Sequence, residues 1–324
     1  MLAKTRIACG VICCLTLALL VALGRTSAPP RATSADTSDV SDCRKCHADV
    51  WQEWNDSYHA KAFSDDQVQA AFEHFGFDRK CQSCHAPQGG LSTPGMVLEV
   101  RQTDQASGVT CLNCHGLPDG SIAGRRTIAE APCRPQQSAL LLSSEACGAC
   151  HEAIYKDWHA SRYRTEGKSC QSCHMPALAN RAGGRSHLCT GSHDEALVRS
   201  GVTLECRQEG DELIVSATNH ATGHNFPGER HNRVLYLQVL ERAPDGQITL
   251  ARQALIKGIT PFRGESSREQ IRVDQTFEAR FPVVDPPVRA EVRLLYKPFP
   301  WYSDDEALTV HRKEVELTAP LGKL

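Results

Sequence analysis

The chain has 324 residues, and its 36 basic and 38 acidic side chains give a formal net charge of −2 at pH 7. A nearly balanced charge without a basic run excludes nucleic acid as an expected partner. The chain also contains 16 cysteines and 14 histidines, which points to metal or cofactor chemistry.

The chain begins with the pattern of an export signal. Lys4 and Arg6 form a positive start, and residues 7–24 form an uncharged apolar run. This pattern predicts a signal peptide over residues 1–24 and a periplasmic or extracellular protein. The alternative is an uncleaved anchor, because the run is borderline in length for crossing a bilayer, and membrane association is expected only through such a segment. Residues 25–42 are rich in Ser, Thr, Ala and Pro and are predicted to be a flexible linker.

The pentapeptide Cys-x-x-Cys-His occurs five times after the linker. Its copies occupy residues 43–47, 81–85, 111–115, 147–151 and 170–174. With 16 cysteines and 14 histidines in random order, roughly 0.03 copies are expected, so five are not chance. The pattern is the attachment signature of a c-type haem. Both cysteine sulfurs bond the porphyrin, and the histidine binds the iron as its proximal ligand.

Five covalent haem c groups are therefore predicted. The cysteines predicted to bind them are Cys43, Cys46, Cys81, Cys84, Cys111, Cys114, Cys147, Cys150, Cys170 and Cys173. The predicted proximal iron ligands are His47, His85, His115, His151 and His174. Zinc sites and disulfides also use Cys-x-x-Cys pairs, but neither explains a histidine after every second cysteine.

Residues 43–194 contain all five motifs and are predicted to form a haem-packed domain of short helices and loops. Apolar residues are sparse there, and Gly and Pro are frequent. The flat apolar faces of the haems are expected to replace much of the side-chain core, so this region should not fold without them.

An internal repeat is visible in this domain. Trp54 and Trp158 each lie seven residues after a motif histidine, and each is followed three residues later by a serine. Both copies continue to a CQSCH motif, so the sequence pairs the first motif with the second and the fourth with the fifth. The spacing predicts a short helix after the first and the fourth motif. A 15-residue insert in the first copy has a helical pattern at Val68, Ala71, Phe72 and Phe75.

Residues 195–324 have a different pattern, with apolar residues at alternate positions. The alternating positions are Leu213, Val215 and Ala217, then Phe277, Ala279 and Phe281, then Ala290, Val292 and Leu294. Residues 234–240 are a continuous apolar run typical of a buried strand, and residues 310–317 are expected to complete the sheet. Several such strands predict a β-sandwich, so the predicted fold class is α+β with the multihaem domain first.

The motif order resembles the cytochrome c-552/c-554 group of multihaem cytochromes. The likeness rests on the haem motifs and their flanking residues, on a segment around His187 and His193, and on residues 222–227, which match a Thr-Gly-His-x-Phe-Pro pattern. In related proteins this last segment returns a histidine from the β-domain to a haem. The resemblance implies electron transfer through closely spaced haems.

The distal iron ligands decide whether such a protein conducts electrons or catalyses a reaction, because an open iron position binds substrate. The family segments indicate His59, His187, His193 and His224 as distal ligands. The second repeat has Tyr163 where the first has His59. Tyr163 is expected either to ligate weakly or only to pack, which leaves one haem as a candidate for five-coordination.

Three functions follow from these features. The favoured one is electron transfer between redox protein partners, a donor and an acceptor. The alternatives are a multihaem oxidoreductase acting on a small nitrogen or sulfur compound, and a docking subunit or haem filament, for which an oligomer is expected.

Outside the haem motifs, Cys189 and Cys206 are predicted to form a disulfide. Cys133 is then either a free thiol or an alternative partner in this pairing.

Overall fold

The computed structural model describes residues 41–181, 184–228, 233–243, 245–259, 266–267, 269–283 and 288–318. Helices occupy the first part of the described chain and antiparallel strands the second, so the predicted α+β class is confirmed. The predicted signal peptide and nearly all of the predicted linker lie outside these residues. Within the described ranges, no helix is long and apolar enough to cross a bilayer.

The α-helices of the described chain are short. In chain order they are α1 (Ser41–Arg44), α2 (Ala48–Asp56), α3 (Asp66–His74), α4 (Arg79–His85), α5 (Cys111–His115), α6 (Glu145–Gly148), α7 (Glu152–His159), α8 (Arg162–Thr165), α9 (Cys170–His174) and α10 (Glu195–Gly201). The predicted helices after the first and fourth motifs are α2 and α7. Neither buries a single residue against the polypeptide. Isolated helices of this length are marginal in water, so they depend on tertiary contacts.

The helix predicted in the insert is confirmed as α3. The Asp65 carboxylate caps it by accepting a hydrogen bond of 3.3 Å from the Val68 amide. Such a cap contributes about 1 kcal/mol. Phe72 is buried, but Phe75 lies just beyond the helix and is 55% exposed, so it does not extend the buried face.

The strands form two sheets and a small ribbon. β1 (Ala123–Gly124) and β2 (Gln136–Gln137) pair in parallel between the third and fourth motifs. The remaining strands are β3 (Val202–Glu209), β4 (Glu212–Asn219), β5 (Val234–Arg242), β6 (Ile248–Ile259), β7 (Ser266–Ser267), β8 (Thr276–Pro282), β9 (Val288–Lys297) and β10 (Leu308–Leu317). They build an antiparallel sheet of order β10-β9-β5-β6-β7 and another of order β3-β4-β8.

The two sheets bury one apolar core between them. Leu213, Val215 and Phe281 enter it from the smaller sheet, and Leu237 and Val292 enter it from the larger one. Because side chains alternate across a strand, the alternation seen in the sequence places these residues on the inner faces. The described strands therefore form the predicted β-sandwich.

The loop between β9 and β10 is fixed on the outer face of the larger sheet. Asp304 in this loop accepts hydrogen bonds of 2.7 Å from both Lys297 Nζ and the Tyr236 hydroxyl. The same loop reaches the helical region, where Trp301 Nε1 donates to Gln67 Oε1 at 2.5 Å. The loop thus joins the sandwich to helix α3.

We expect replacement of Asp304 with Asn to destabilise the protein at neutral pH but not in acid. Burial by itself would raise the pKa of Asp304, but hydrogen bonds from Lys297 and Tyr236 lower it below its usual value. A lowered folded pKa adds stability above the unfolded value of about 3.9, and this stability is lost as the pH falls through the folded value. The difference in Tm between wild type and variant should therefore narrow below about pH 4.

Thermal unfolding followed by circular dichroism between pH 3 and pH 8 measures this difference. Asp305→Asn, at the exposed neighbouring position, is the matched control. An equal loss of Tm in both variants at pH 7 would contradict the role of the Asp304 carboxylate.

Candidate functional site

Each Cys-x-x-Cys-His motif forms a helical turn. The second, third and fifth motifs lie in α4, α5 and α9. In the first and fourth, the His47 amide donates to the Cys43 carbonyl at 2.9 Å and the His151 amide to the Cys147 carbonyl at 3.1 Å. Residues three and four apart share one face of a helix. Both thiols and the imidazole of each motif therefore project to one side, as covalent haem attachment requires.

The five motifs lie against one another. The Cys43 thiol hydrogen-bonds that of Cys111, and the Cys147 thiol hydrogen-bonds that of Cys170. A third contact joins Cys84 of the second motif to Cys150 of the fourth. In addition, Cys114 of the third motif lies within electrostatic reach of both cysteines of the fourth. Every motif thus touches at least one other.

Three motif histidines each face a second imidazole. The ring centroids of His59 and His151 lie 6.3 Å apart. Those of His115 and His187 also lie 6.3 Å apart, and those of His174 and His224 lie 6.2 Å apart. A metal–nitrogen bond of about 2 Å on each side, plus about 1.1 Å from nitrogen to ring centre, gives about 6.2 Å for two axial imidazoles on one iron. The spacing therefore fits a metal between the rings, and the residues present fit haem iron.

Hydrogen bonds orient five of the predicted ligands. Nδ1 of each ring bonds a backbone carbonyl, which leaves Nε2 free to bind a metal. The bonds run from His85 to Ala62 (2.5 Å), His115 to Ala123 (2.9 Å), His174 to Thr190 (2.6 Å), His187 to Arg185 (2.9 Å) and His224 to Asn225 (2.9 Å). The second histidine of each facing pair comes from a segment distant in sequence, yet His187 and His224 are oriented in the same way as the motif histidines.

Burial keeps the three distal candidates neutral. Desolvation, followed by the proximity of His151 and His174, lowers the pKa of His59 to about 4. Desolvation is also the largest cause of the lowered pKa values of His187 and His224. Neutral imidazole is the form that binds metals, so these side chains need not lose a proton first.

The structure corrects the repeat drawn from the sequence. Trp54 Nε1 donates to the carbonyl of Val109, two residues before the third motif, at 2.8 Å. Trp158 Nε1 donates to the carbonyl of Lys168, two residues before the fifth motif, at 2.8 Å. The thiol contacts follow the same pattern. The first motif therefore corresponds to the fourth and the third to the fifth, whereas the pairing of the second with the fifth from identical letters is wrong.

Tyr163 packs and forms hydrogen bonds within the polypeptide. Its hydroxyl donates to the His220 carbonyl at 3.1 Å and accepts from Arg162 Nη2 at 3.2 Å. A Cβ on Gly223 would lie 3.1 Å from Trp158 and 3.4 Å from Tyr163, so only glycine fits easily here. Tyr163 therefore helps to seat the segment that carries His224.

His193 has a different environment from the other distal candidates. Its ring stacks on Tyr58 with centroids 3.9 Å apart and meets Phe299 at 5.8 Å. Burial, followed by the charge of Arg233, lowers its pKa to about 4. Among the residues that the structure describes, no motif histidine faces it at the spacing of the three pairs. Its ligation of iron stays a prediction.

The first two motif histidines lack such a partner as well. Within the described ranges, neither His47 nor His85 faces a second imidazole at 6.2–6.3 Å. His85 instead meets the edge of Phe72 at 5.2 Å. Among the described residues, His47 and His85 are thus the two motif histidines without a facing imidazole.

Sequence reasoning missed Glu53 and Arg181. The Glu53 carboxylate accepts from both Arg181 Nη atoms, at 3.1 and 3.0 Å, and from the His187 amide at 2.9 Å. Burial alone would raise the pKa of Glu53, but these hydrogen bonds lower it. The repeat contained one indication that position 53 matters, because an acidic residue, Glu53 or Asp157, directly precedes the tryptophan in both copies.

The cysteines outside the haem motifs are not joined. Cys133, Cys189 and Cys206 are all free thiols, so the predicted Cys189–Cys206 disulfide is wrong. Cys189 lies within electrostatic reach of Cys114, inside the motif cluster, whereas Cys206 belongs to β3. Burial is the largest cause of the raised pKa of Cys189, about 12, which keeps this thiol protonated at neutral pH.

Comparison with known proteins identifies the first half of the motif region. A family model described as "Cytochrome c554 and c-prime" matches residues 42–116, which contain the first three motifs. Residues 42–116 are therefore similar to the cytochrome c554 and c-prime family. The resemblance drawn from the sequence is confirmed, and the family implies a multihaem cytochrome with c-type haem. No curated protein matches the chain.

The fold is similar to that of a solved multihaem protein. A penta-haem cytochrome c552 from Thermochromatium tepidum superimposes with a TM-score of 0.66 and 16% identity, covering 86% of this chain and 99% of that chain. The similarity of fold therefore covers both the helical region and the β-sandwich. The sensor domain of the anti-sigma factor RsgI4 in Pseudobacteroides cellulosolvens has a TM-score of 0.21 and 7% identity, over 36% of this chain and 74% of that chain. That score is too low to indicate a common fold.

Replacement of Tyr163 with Phe is expected to leave the spectrum of the haem protein unchanged. The variant loses the hydrogen bond to the His220 carbonyl, which should cost about 0.5–1.5 kcal/mol. Thermal unfolding measures the loss, and electron paramagnetic resonance (EPR) of the oxidised protein reports the iron ligands. A spectral change confined to a haem other than the one proposed between His174 and His224, whose segment Tyr163 helps to seat, would identify Tyr163 as a ligand and contradict the packing role.

Proposed function

We propose that the protein transfers electrons through five covalently bound c-type haems, one at each Cys-x-x-Cys-His motif. The observation that carries the proposal is the set of three facing imidazole pairs. Two histidine ligands saturate a haem iron and suit it to electron transfer. When bound, the haem supplies reversible one-electron chemistry at its iron.

The residues of the chain hold these cofactors by two kinds of bond. The ten motif cysteines would form the thioether links, and the five motif histidines would bind the irons from the proximal side. His59, His187 and His224 would supply the distal ligands opposite His151, His115 and His174. His193 is proposed as a further ligand.

The contacts between motifs support a continuous route for electrons. The first motif touches the third, the second touches the fourth, and the fourth touches the fifth. The third and fourth motifs are also close to each other, because Cys114 of the third lies near Cys147 and Cys150 of the fourth. No motif is isolated, and an electron entering at any of them has a neighbouring motif to pass to.

A second function has its own observation in favour. Within the described residues, His47 and His85 lack a facing imidazole at the spacing of the pairs, and a haem with one open position binds small molecules. This arrangement favours an oxidoreductase that acts on a small nitrogen or sulfur compound. It would use the three paired sites as an electron relay.

The proposed location is the periplasm or the extracellular space. Lys4, Arg6 and the apolar run that follows them support export. The proposed partners are a redox protein that donates electrons and another that accepts them.

Replacement of His224 with Ala tests the ligand assignment. The variant removes one of the two imidazoles proposed for the fifth haem, so one low-spin EPR signal should become high-spin. CO binding by the reduced protein should rise by about one haem per chain. The matched control is His311→Ala, because His311 Nε2 hydrogen-bonds the Val202 carbonyl at 2.6 Å and is not free for iron.

The wild-type protein gives the reference for this experiment. A pyridine haemochrome assay should yield five haems per chain, and a lower number would contradict the proposal. An unchanged EPR spectrum in His224→Ala would refute the assignment of His224. A high-spin signal with CO binding in the wild type would favour the oxidoreductase.

A further inference from the structure

The ion pair of Glu53 and Arg181 lies beside one of the three facing imidazole pairs. Glu53 belongs to α2, which follows the first motif, and Arg181 belongs to the segment that leads to His187. The pair is bidentate, with Arg181 Nη2 3.0 Å from Glu53 Oε1 and Nη1 3.1 Å from Oε2. The side chains are only 25% and 21% exposed, so water screens them less than a surface pair.

Two paths lead from this pair to the His187 side chain. Glu53 Oε2 accepts a hydrogen bond from the His187 amide at 2.9 Å, which fixes the backbone of that residue. Arg181 Nη1 donates to the Arg185 carbonyl at 3.3 Å, and the same carbonyl bonds Nδ1 of His187 at 2.9 Å. The acceptor that orients the imidazole is thus itself held by Arg181.

The same segment is anchored to the fifth motif. Arg185 Nη1 donates to the Gln171 carbonyl at 3.1 Å and to the Met175 carbonyl at 3.0 Å. These carbonyls lie in α9 and at its end. The segment that presents His187 is therefore held on one side by α2, which follows the first motif, and on the other by α9, the helix of the fifth motif.

We propose that Glu53 and Arg181 are positioning residues that hold the His187 imidazole opposite His115 and thereby set the ligand field of the third haem. This inference rests on the proposed function, because it assumes an iron between the two rings. Neither side chain is proposed to touch the iron. Groups that orient metal ligands commonly change affinity or activity 10-fold to 100-fold when removed.

The test compares the EPR spectra of complete haem-loaded proteins. His187→Ala first identifies the low-spin signal of the third haem by its loss. Glu53→Gln retains an acceptor for the His187 amide but removes the charge that holds Arg181. We expect the identified signal to shift or broaden, and part of one haem to become high-spin and bind CO.

Two further variants make the result specific. Glu212→Gln removes the same charge from the exposed ion pair with Arg280 in the β-sandwich, and it should leave all haem signals unchanged. Arg181→Lys keeps the charge but loses the two-pronged contact and the bond to Arg185. It should reproduce the shift of Glu53→Gln, and its spectrum decides the matter if Glu53→Gln fails to mature.

The outcomes separate this inference from the function on which it rests. Absence of low-spin signals in the wild type would refute the proposed function. Low-spin signals that stay unchanged in both Glu53→Gln and Arg181→Lys, even with a lower Tm, would show a purely structural ion pair and overturn the inference alone.

Discussion

Three pairs of imidazole rings, facing each other at the width of one metal, join short motif helices of the N-terminal region to distant segments of the chain. His174 and His224 show this constraint most clearly, because one lies in a short motif helix and the other in the segment that leaves the β-sandwich. Their 6.2 Å centroid spacing equals the separation expected for two axial imidazoles on one iron. Each histidine pair therefore brings a motif close to a segment that is distant in sequence, and a metal bound between the rings would link the two.

The short helices follow from the same constraint. Helices α2 and α7 have nine and eight residues and bury none of them against polypeptide, although each carries an apolar face. Side-chain packing alone does not stabilise such elements. Their tryptophans instead donate to carbonyls just before the third and fifth motifs. Each helix thus places a second motif relative to the one that it follows, and the chain uses this unit twice.

Much of the structure could be predicted from local sequence. The motif cysteines and histidines, the helix over α3 and the inner faces of β4, β8 and β9 all follow from residue types at fixed spacings. The repeat was misread, because identical CQSCH letters at two positions suggested a correspondence that the tryptophan hydrogen bonds do not support. The Cys189–Cys206 disulfide failed for a similar reason, since sequence gives no distance between two thiols.

The sequence by itself determined which side chains can attach haem, because thioether bonds and a proximal ligand need Cys-x-x-Cys-His within one helical turn. It also indicated His59, His187 and His224 through segments that resemble a family. Only the tertiary structure decided which motif each of these histidines faces, and that His187 is held by Glu53 and Arg181. The physical reason is the separation along the sequence between the residues that must come together. Attachment is a local property of five residues, whereas a facing pair joins positions up to 92 apart and exists only once the chain has folded around it.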